Sequence, residues 1–403
     1  MNSEDAAACI QAALLMPKVG RKTVRKIFED LPEEVSDRSS FRDHLVRIGG
    51  SFPRVPSTTE EEVRELFEEA DELIAKTTKY EKGSVLSMLD FPDRLKRMDD
   101  PPVLLHCLGD RSLLEGKSAA VIGTRNPTDY GREAALAFGR LLAEKGRTVV
   151  SGLALGCDTG GHLGCLEAGG GTVAVMAHGL DTVYPPQNRD LAERIVAENG
   201  LLLSEYPMGV SGRRNFFVER DRIQAALSDL VVVVETGLKG GTLHTVGFAE
   251  KGGVPVHALD HPEEYREEDQ VLGNRNLIED GRATPILHDE DSVAEALEGS
   301  AGSDRKDPSE SVQTEDGALP DTSRPSDGRA EGATPDESEG ACEASLSRPE
   351  EILPVEEIPA RETVESDSTD EENTRKDESS PESEGGGDAK EPNKPESQSQ
   401  FDF

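Results

Sequence analysis

Three glycine-bearing turns carry residue types that could hold an anion: Gly123-Thr124-Arg125-Asn126, Ser151-Gly152-Leu-Ala-Leu-Gly156 and Gly237-Leu-Lys239-Gly240-Gly241-Thr242. Glycine lets a backbone amide come close to a phosphate, a Ser or Thr hydroxyl adds a donor, and Arg or Lys adds charge. Each turn follows a short apolar run and precedes a helical stretch, where free N–H groups at a helix start receive anions. One such turn is explained as well by simple chain reversal, but three at equivalent strand ends favour a phosphate site. None is a GxGxxG fingerprint or a P-loop, and no acidic residue is placed to hold a ribose. Neither NAD nor ATP is indicated, and no cofactor is expected.

A second constellation is Arg213-Arg214-Asn-Phe216-Phe217-Val-Glu219-Arg220-Asp221-Arg222, a basic stretch with adjacent aromatics in an otherwise acidic chain. Arginine can follow phosphates and an exposed phenylalanine can stack on an unpaired base, so this mixture suits a single nucleic-acid strand. In the competing account one of the two Phe rings is core and the arginines pair with Glu219 and Asp221. Asp158 and His162, one turn apart, could suggest acid/base chemistry, yet Asp158 equally suits a helix start and His162 an interior. Asn188 follows Asp181, Tyr184 and Pro185-Pro186 and reads as a helix N-cap. No Ser/His/Asp order, carboxylate pair or metal-ligand cluster stands out, so no catalytic residue and no metal site is assigned. The five cysteines are odd in number and lack CxxC spacing, which indicates neither a disulfide framework nor zinc.

The elements that must position these turns are legible as alternating apolar runs and helical stretches between about 118 and 260. Strands are predicted at 119–122, 148–151, 172–177, 201–204, 230–235 and 254–258. Several are apolar nearly throughout, as in a parallel sheet covered on both faces. Residues 5–80 predict helices, including a helix, Gly20 turn and second helix in the outline of a helix-hairpin-helix. Pro17 and Lys18 stand where that motif carries a second glycine, which favours packing over DNA contact. Residues 60–76 predict an amphipathic helix through Val63, Leu66, Phe67, Leu73 and Ile74. The fold class is therefore α/β, an extended Rossmann-like parallel sheet (residues 83–295) with an N-terminal helical domain (1–82) and a disordered acidic C-terminal tail (296–403).

Charge sharpens the question. The 403 residues carry a formal net charge of -37, and residues 301–403 hold 30 Asp and Glu against 10 Lys and Arg. Such a chain is repelled by nucleic acid on average, so any contact has to come from a local basic face. The tail itself, closing on Gln400-Phe-Asp-Phe403, could compete for that face or recruit a partner, although a solvated tail explains it as well. The N-terminus is acidic where a signal peptide would be basic, and no apolar run has membrane-spanning length. A cytoplasmic protein without membrane association is the expectation.

The run Phe91-Pro-Asp-Arg-Leu-Lys-Arg-Met-Asp-Asp-Pro-Pro-Val-Leu, with Gly123-Thr-Arg, Ser151-Gly-Leu-Ala-Leu-Gly, Asp181-Thr-Val-Tyr-Pro-Pro-Gln-Asn188, Leu203-Ser-Glu-Tyr-Pro207 and Glu219-Arg-Asp-Arg-Ile223, resembles the DNA-processing protein A family, also called DprA or Smf. The resemblance covers about residues 85–290. It implies an extended Rossmann domain, homodimeric, that binds incoming single-stranded DNA and helps load a RecA-type recombinase during natural transformation. It places DNA or phosphate contacts on Arg125, Arg214 and Phe217 and on the Gly240, Gly241 and Thr242 turn. With the readings above, the candidate set becomes Gly123, Thr124, Arg125, Ser151, Gly152, Arg214, Phe217, Arg220, Arg222, Lys239, Gly240, Gly241 and Thr242. The chain departs from the family at Asp221, where Asn is usual, and at Cys157, where an aliphatic residue is usual. No C-terminal winged helix is recognisable.

Two rivals stay open. A nucleotide phosphoribohydrolase of the LOG type shares a Rossmann core and uses a Pro-Gly-Gly-x-Gly-Thr-x-x-Glu loop. The corresponding stretch here, Leu238-Lys-Gly-Gly-Thr-Leu-His-Thr-Val246, lacks the glutamate. A nucleotide-sensing interaction module is the other.

Overall fold

A computed structural model describes residues 1–301, so the expectations for the acidic tail beyond that point fall outside the described residues. Four helices lead the chain: α1 (Ser3–Leu15), α2 (Arg21–Glu29), α3 (Arg38–Ile48) and α4 (Glu60–Thr78). The Asn2 side chain caps α1, and α4 opens with a reciprocal capping box between Thr59 and Glu62. Then follow β1 (Gly83–Ser87), α5 (Asp93–Lys96), β2 (Leu104–Gly109), β3 (Ser118–Ile122), α6 (Asp129–Glu144), β4 (Thr148–Ser151), α7 (Cys157–Glu167) and β5 (Thr172–Met176). The described chain continues through α8 (Arg189–Ala197), β6 (Leu201–Ser204), α9 (Arg214–Leu227), β7 (Leu230–Val233), α10 (Thr242–Lys251), β8 (Val256–Leu259), α11 (Leu272–Glu279), β9 (Thr284–Ile286) and α12 (Glu290–Ala301).

The strands form one sheet in the order β1-β2-β6-β5-β4-β3-β7-β8-β9. Strands β1 and β2 pair antiparallel, as do β2 and β6, and the other pairings are parallel. Strands β3 to β8 are buried along their length because helices cover both faces, which is why their sequences are near-continuous Val, Leu, Ile and Ala. From β3 the chain steps outward through β4, β5 and β6. Helix α9 then carries it back to the other side of β3, where β7 pairs. The chain therefore leaves the carboxyl ends of β3 and β7 towards opposite faces, and a crevice opens between their loops, as doubly wound sheets do at such a reversal.

All six predicted strands are present, with ends shifted by at most two residues. Strands β1, β2 and β9 were not anticipated. Strand β1 is only partly buried, β9 has three residues, and β2 carries a buried polar residue, His106, bonded through Nδ1 to Thr77 Oγ1 at 2.9 Å. Tertiary pairing supplies what their sequences do not advertise.

Apolar packing crosses both expected domain boundaries. The apolar cluster of the leading helices, built on Ile10, Val24, Ile27, Phe41 and Phe67, takes in Val103 and Leu104 of the β2 approach, so no clean seam lies at residue 82. At the other end, α12 continues to Ala301, and Ala296 and Leu297 pack into the same cluster as Phe138 and Val149. Ala296 and Leu297 give this polar stretch the apolar surface that docks its helix.

The helix, turn and helix expected around Gly20 is present and acts in packing. Met16 and Val19 of the turn are buried in the leading cluster. Arg21 of α2 is committed to Asp100 and to Glu219, the latter at 2.8 Å, which ties α2 to α9. Among the described residues no helix is long and apolar enough to cross a membrane, and no group of three His, Cys, Asp or Glu could hold a metal ion.

Candidate functional site

The loops after β3 and β7 and the first half of α9 enclose a cavity of about 350 Å³. Its walls include Gly123, Thr124 and Arg125 from the first loop, Lys239, Gly240, Gly241 and Thr242 from the second, and Phe217 and Arg220 from α9. Nine of the candidate residues thus meet around one space.

The β3 loop is held from below. Thr124 N donates to Glu235 O at 2.7 Å, and the buried Glu235 carboxylate accepts from Thr128 N at 2.8 Å and Thr128 Oγ1 at 2.5 Å. The same carboxylate lies 3.2 Å from His261 Nε2. Gly123 is required by packing rather than by turn geometry, because a Cβ there would lie 2.5 Å from Cys157 Sγ. The departure to Cys157 is accommodated at this close contact between α7 and β3, and burial pushes its thiol pKa up. Arg125 projects from the loop into solvent and makes no ion pair among the described residues.

The β7 loop is open. Gly241 has nothing within 4 Å of the position a Cβ would take, and α10 starts without a side-chain cap. His244 N donates to Gly241 O at 2.9 Å, which leaves the Thr242 and Leu243 amides of the first turn available to an anion. Lys239, exposed above them, likewise forms no ion pair among the described residues.

The second turn does not behave as the sequence predicts. Ser151 is fully buried and its hydroxyl donates to Val121 O at 2.6 Å, bracing β4 against β3. Gly152 N donates to Asp158 Oδ2 at 3.0 Å, and Ala154 N to the same oxygen at 3.3 Å. The donors of Ser151 and Gly152 are thus taken up by internal acceptors, and neither residue lines the cavity. Asp158 is a loop anchor, and His162 is interior, with Nδ1 2.7 Å from Thr172 Oγ1. Burial, with the nearby positive Arg220, lowers the His162 pKa to about 3.

Helix α9 divides its charged residues between two faces. Arg214, in the first turn, is exposed and without an ion pair among the described residues. It lies one turn from Phe217 on the same face. Arg220 is buried at the cavity floor, where Nη1 donates to Val175 O at 2.7 Å and Nε lies 3.1 Å from Asp221 Oδ1. Arg222 points away from the cavity and pairs with Glu205, its side chain only 4% exposed. Arg222, expected at a phosphate, is thus not among the residues that line the cavity; its buried guanidinium faces an internal carboxylate. Arg220 lines the cavity, but as a fixed charge under the floor rather than a mobile phosphate clamp.

The two phenylalanines also part ways. Phe216 is buried and stacked on Tyr206, with ring centroids 4.1 Å apart and planes 18° from parallel. Phe217 lines the cavity and meets Tyr184 edge to face, centroids 5.7 Å apart. In the sequence Tyr184 stands out only as a neighbour of Pro185-Pro186. An aromatic beside two prolines, in a loop that contains Asn188, was the available signal. Asn188 stands at the start of α8 but does not cap it. Its Nδ2 instead donates to Leu153 O and to Thr159 Oγ1, each at 2.9 Å, clamping its loop to the one after β4.

The cavity floor is electrostatically tense. Arg220 stands among two buried carboxylates, Asp158 and Asp221. Burial raises the Asp221 pKa to about 7; Arg220 pulls it down and Asp158 pushes it further up. Burial likewise raises that of Asp158, against the opposing pull of Arg220 and the two amides. Protons and cations are favoured here, and the exposed rim cations Arg125 and Lys239 offset the acidic floor.

Over residues 84–297 the chain matches the family described as DNA recombination-mediator protein A. It is similar to Protein Smf of Synechocystis, 40% identical over 209 residues, which is 51% of this chain and 51% of that protein. It is also similar to DNA processing protein DprA of Bacillus subtilis, 37% identical over 175 residues, 43% of this chain and 59% of that protein. The chain spans about half the length of these relatives. Among solved structures it resembles DNA processing protein A of Streptococcus pneumoniae, with a TM-score of 0.57 and 28% identity, covering 72% of this chain and 95% of that one.

Proposed function

The chain belongs to the DNA recombination-mediator protein A family, and from that premise we propose that it binds single-stranded DNA along the crevice between β3 and β7 and carries out no bond chemistry there. One observation carries the reading. Arg125 and Lys239 line the cavity beside Phe217, Arg214 is exposed one turn before that ring, and all three cations are free of ion pairs among the described residues, although acidic residues predominate in this chain. Exposed cations that no carboxylate neutralises give a local basic face in a chain whose net charge otherwise repels nucleic acid, which is what contact with a polyanion requires. Phe217 offers the ring on which an unpaired base stacks, whereas duplex bases are already stacked on one another.

The wider role in this reading is that of a cytoplasmic homodimer that protects incoming strands and passes them to a RecA-type recombinase in natural transformation. Recombinase filament formation on strands pre-coated by a single-strand binding protein, with and without this chain, measures that step.

Binding of labelled poly-dT and of duplex across a salt series tests the core of the proposal. Arg125→Ala and Arg214→Ala should each remove about one phosphate contact and flatten the log–log salt slope by about 0.7. Their thermal stability should stay that of the parent. If the double variant remains folded and binds poly-dT as the parent does, the crevice is not the DNA site. Release of free base from nucleoside monophosphates by the same sample would instead favour the phosphoribohydrolase reading.

A further inference from the structure

Beside the main cavity lies a second one, of about 280 Å³, lined by Arg125, Leu155, Tyr184, Pro185, Pro186 and Gln187. We propose that it is a subsite for a second, adjacent nucleobase of the bound strand, with Tyr184 as its stacking surface; this rests on the single-strand reading above.

Three features point there. Arg125 lines both cavities, so one guanidinium stands where a phosphate linking two nucleotides would sit. Tyr184 and Phe217 meet with their planes 62° apart, so their open faces look in different directions and cannot serve one base. Each ring instead lines its own cavity. The volume is below the roughly 300–1,000 Å³ of sites that take drug-sized ligands. That is the scale of one flat heterocycle.

The loop that carries Tyr184 is built to keep it exposed. Leu180 and Val183 are buried in the core cluster behind β5 and α8. Asp181 Oδ1 accepts from Gly209 N at 2.9 Å on one side, and Asn188 clamps the other. Between these anchors Tyr184 is 50% exposed, a large side chain held out by a fixed loop. A rigid aromatic is a low-entropy surface for stacking, and every base has a π-face, so the subsite tolerates sequence. The Gln187 amide, exposed at the rim, can donate to or accept from a base edge.

The test compares oligo-dT with an abasic deoxyribose-phosphate strand of equal length, using the full chain. Tyr184→Ala should weaken oligo-dT binding about tenfold with an unchanged salt slope, leave abasic binding as it is, and be rescued by Tyr184→Phe. Arg125→Ala should weaken both strands and flatten the slope. Because the chain has no tryptophan, Tyr184→Trp places a lone reporter in the subsite. Its emission should be quenched by oligo-dT and not by the abasic strand. The subsite is overturned if the parent binds oligo-dT yet Tyr184→Ala binds it equally well, if Tyr184→Ala lowers abasic binding to the same extent, or if the tryptophan is not quenched. A parent that binds neither strand would overturn the single-strand reading itself, and the subsite with it.

Discussion

The guanidinium of Arg220 lies directly over Gly152, so close that a Cβ on that glycine would meet Arg220 Nη1 at 1.7 Å. The missing side chain is the space in which the buried cation sits, bonded to Val175 O and facing Asp158 and Asp221. Gly152→Ala should therefore expel Arg220 and leave two buried carboxylates without their cation. A loss of about 3–5 kcal/mol of stability is expected, the usual cost of breaking a buried pair from one side. Urea unfolding measures it, and a loss below about 1 kcal/mol would show that the floor re-forms around the methyl group.

Phe216 and Phe217, adjacent in sequence, should fail in different assays. Phe216→Ala removes a buried ring stacked on Tyr206 and should cost about 3–5 kcal/mol of stability. Phe217→Ala should lose about 1–3 kcal/mol of strand affinity through lost stacking, with the melting temperature almost unchanged. Thermal denaturation and poly-dT titration on both variants separate the roles; a large drop in melting temperature for Phe217→Ala would make that ring core as well.

Arg222→Ala should behave as a stability variant. It strands the Glu205 carboxylate in the interior, beside the charges of Arg21, Asp100 and Glu219 that hold α2 against α9. About 3–5 kcal/mol is expected from the uncompensated charge. Under conditions where the variant is still folded, the salt slope of strand binding should equal that of the parent. A slope flattened by about 0.7 would return Arg222 to the phosphate contacts.

Asp221 makes both stability and binding sensitive to pH. Its folded-state pKa, about 7, is above the ordinary carboxylate value of 3.8, chiefly through burial. Between those values the folded chain holds a proton that the unfolded chain has lost. The Asp221 contribution to stability is thus fully present below about pH 4 and lost as pH rises through 7. Asp221→Asn, which restores the usual family residue, should gain on the parent across that window and keep a constant advantage above it. The raised pKa of Asp158 contributes in the same direction in both proteins. Because an ionised Asp221 adds a negative charge to the cavity, strand affinity of the parent should fall from pH 6 to pH 8, and that of Asp221→Asn much less. Melting curves and titrations at matched ionic strength check both; parallel pH profiles for the two proteins would remove Asp221 as the cause.

The parallel sheet was legible in the sequence because its signal is local. A run such as Leu230-Val-Val-Val233 is apolar throughout only when helices cover both faces, and the turns after β3 and β7 announce themselves by glycine beside Arg, Lys and Thr. Those two turns, with Phe217, do line one cavity. What the sequence could not decide is which side each charged or aromatic residue of a helix would face. Arg214, Arg220 and Arg222 are chemically identical, yet one is exposed, one is pinned under the cavity floor by Asp221 and Val175, and one is bound to Glu205. The partners that decide this come from β5, from the loop after β6 and from the space left by Gly152, all distant in the chain. Composition and periodicity record what a residue is and how it repeats along its own element. Whether a cation is free for a ligand depends on which carboxylate or carbonyl the fold brings against it, and only the packed tertiary structure makes that choice.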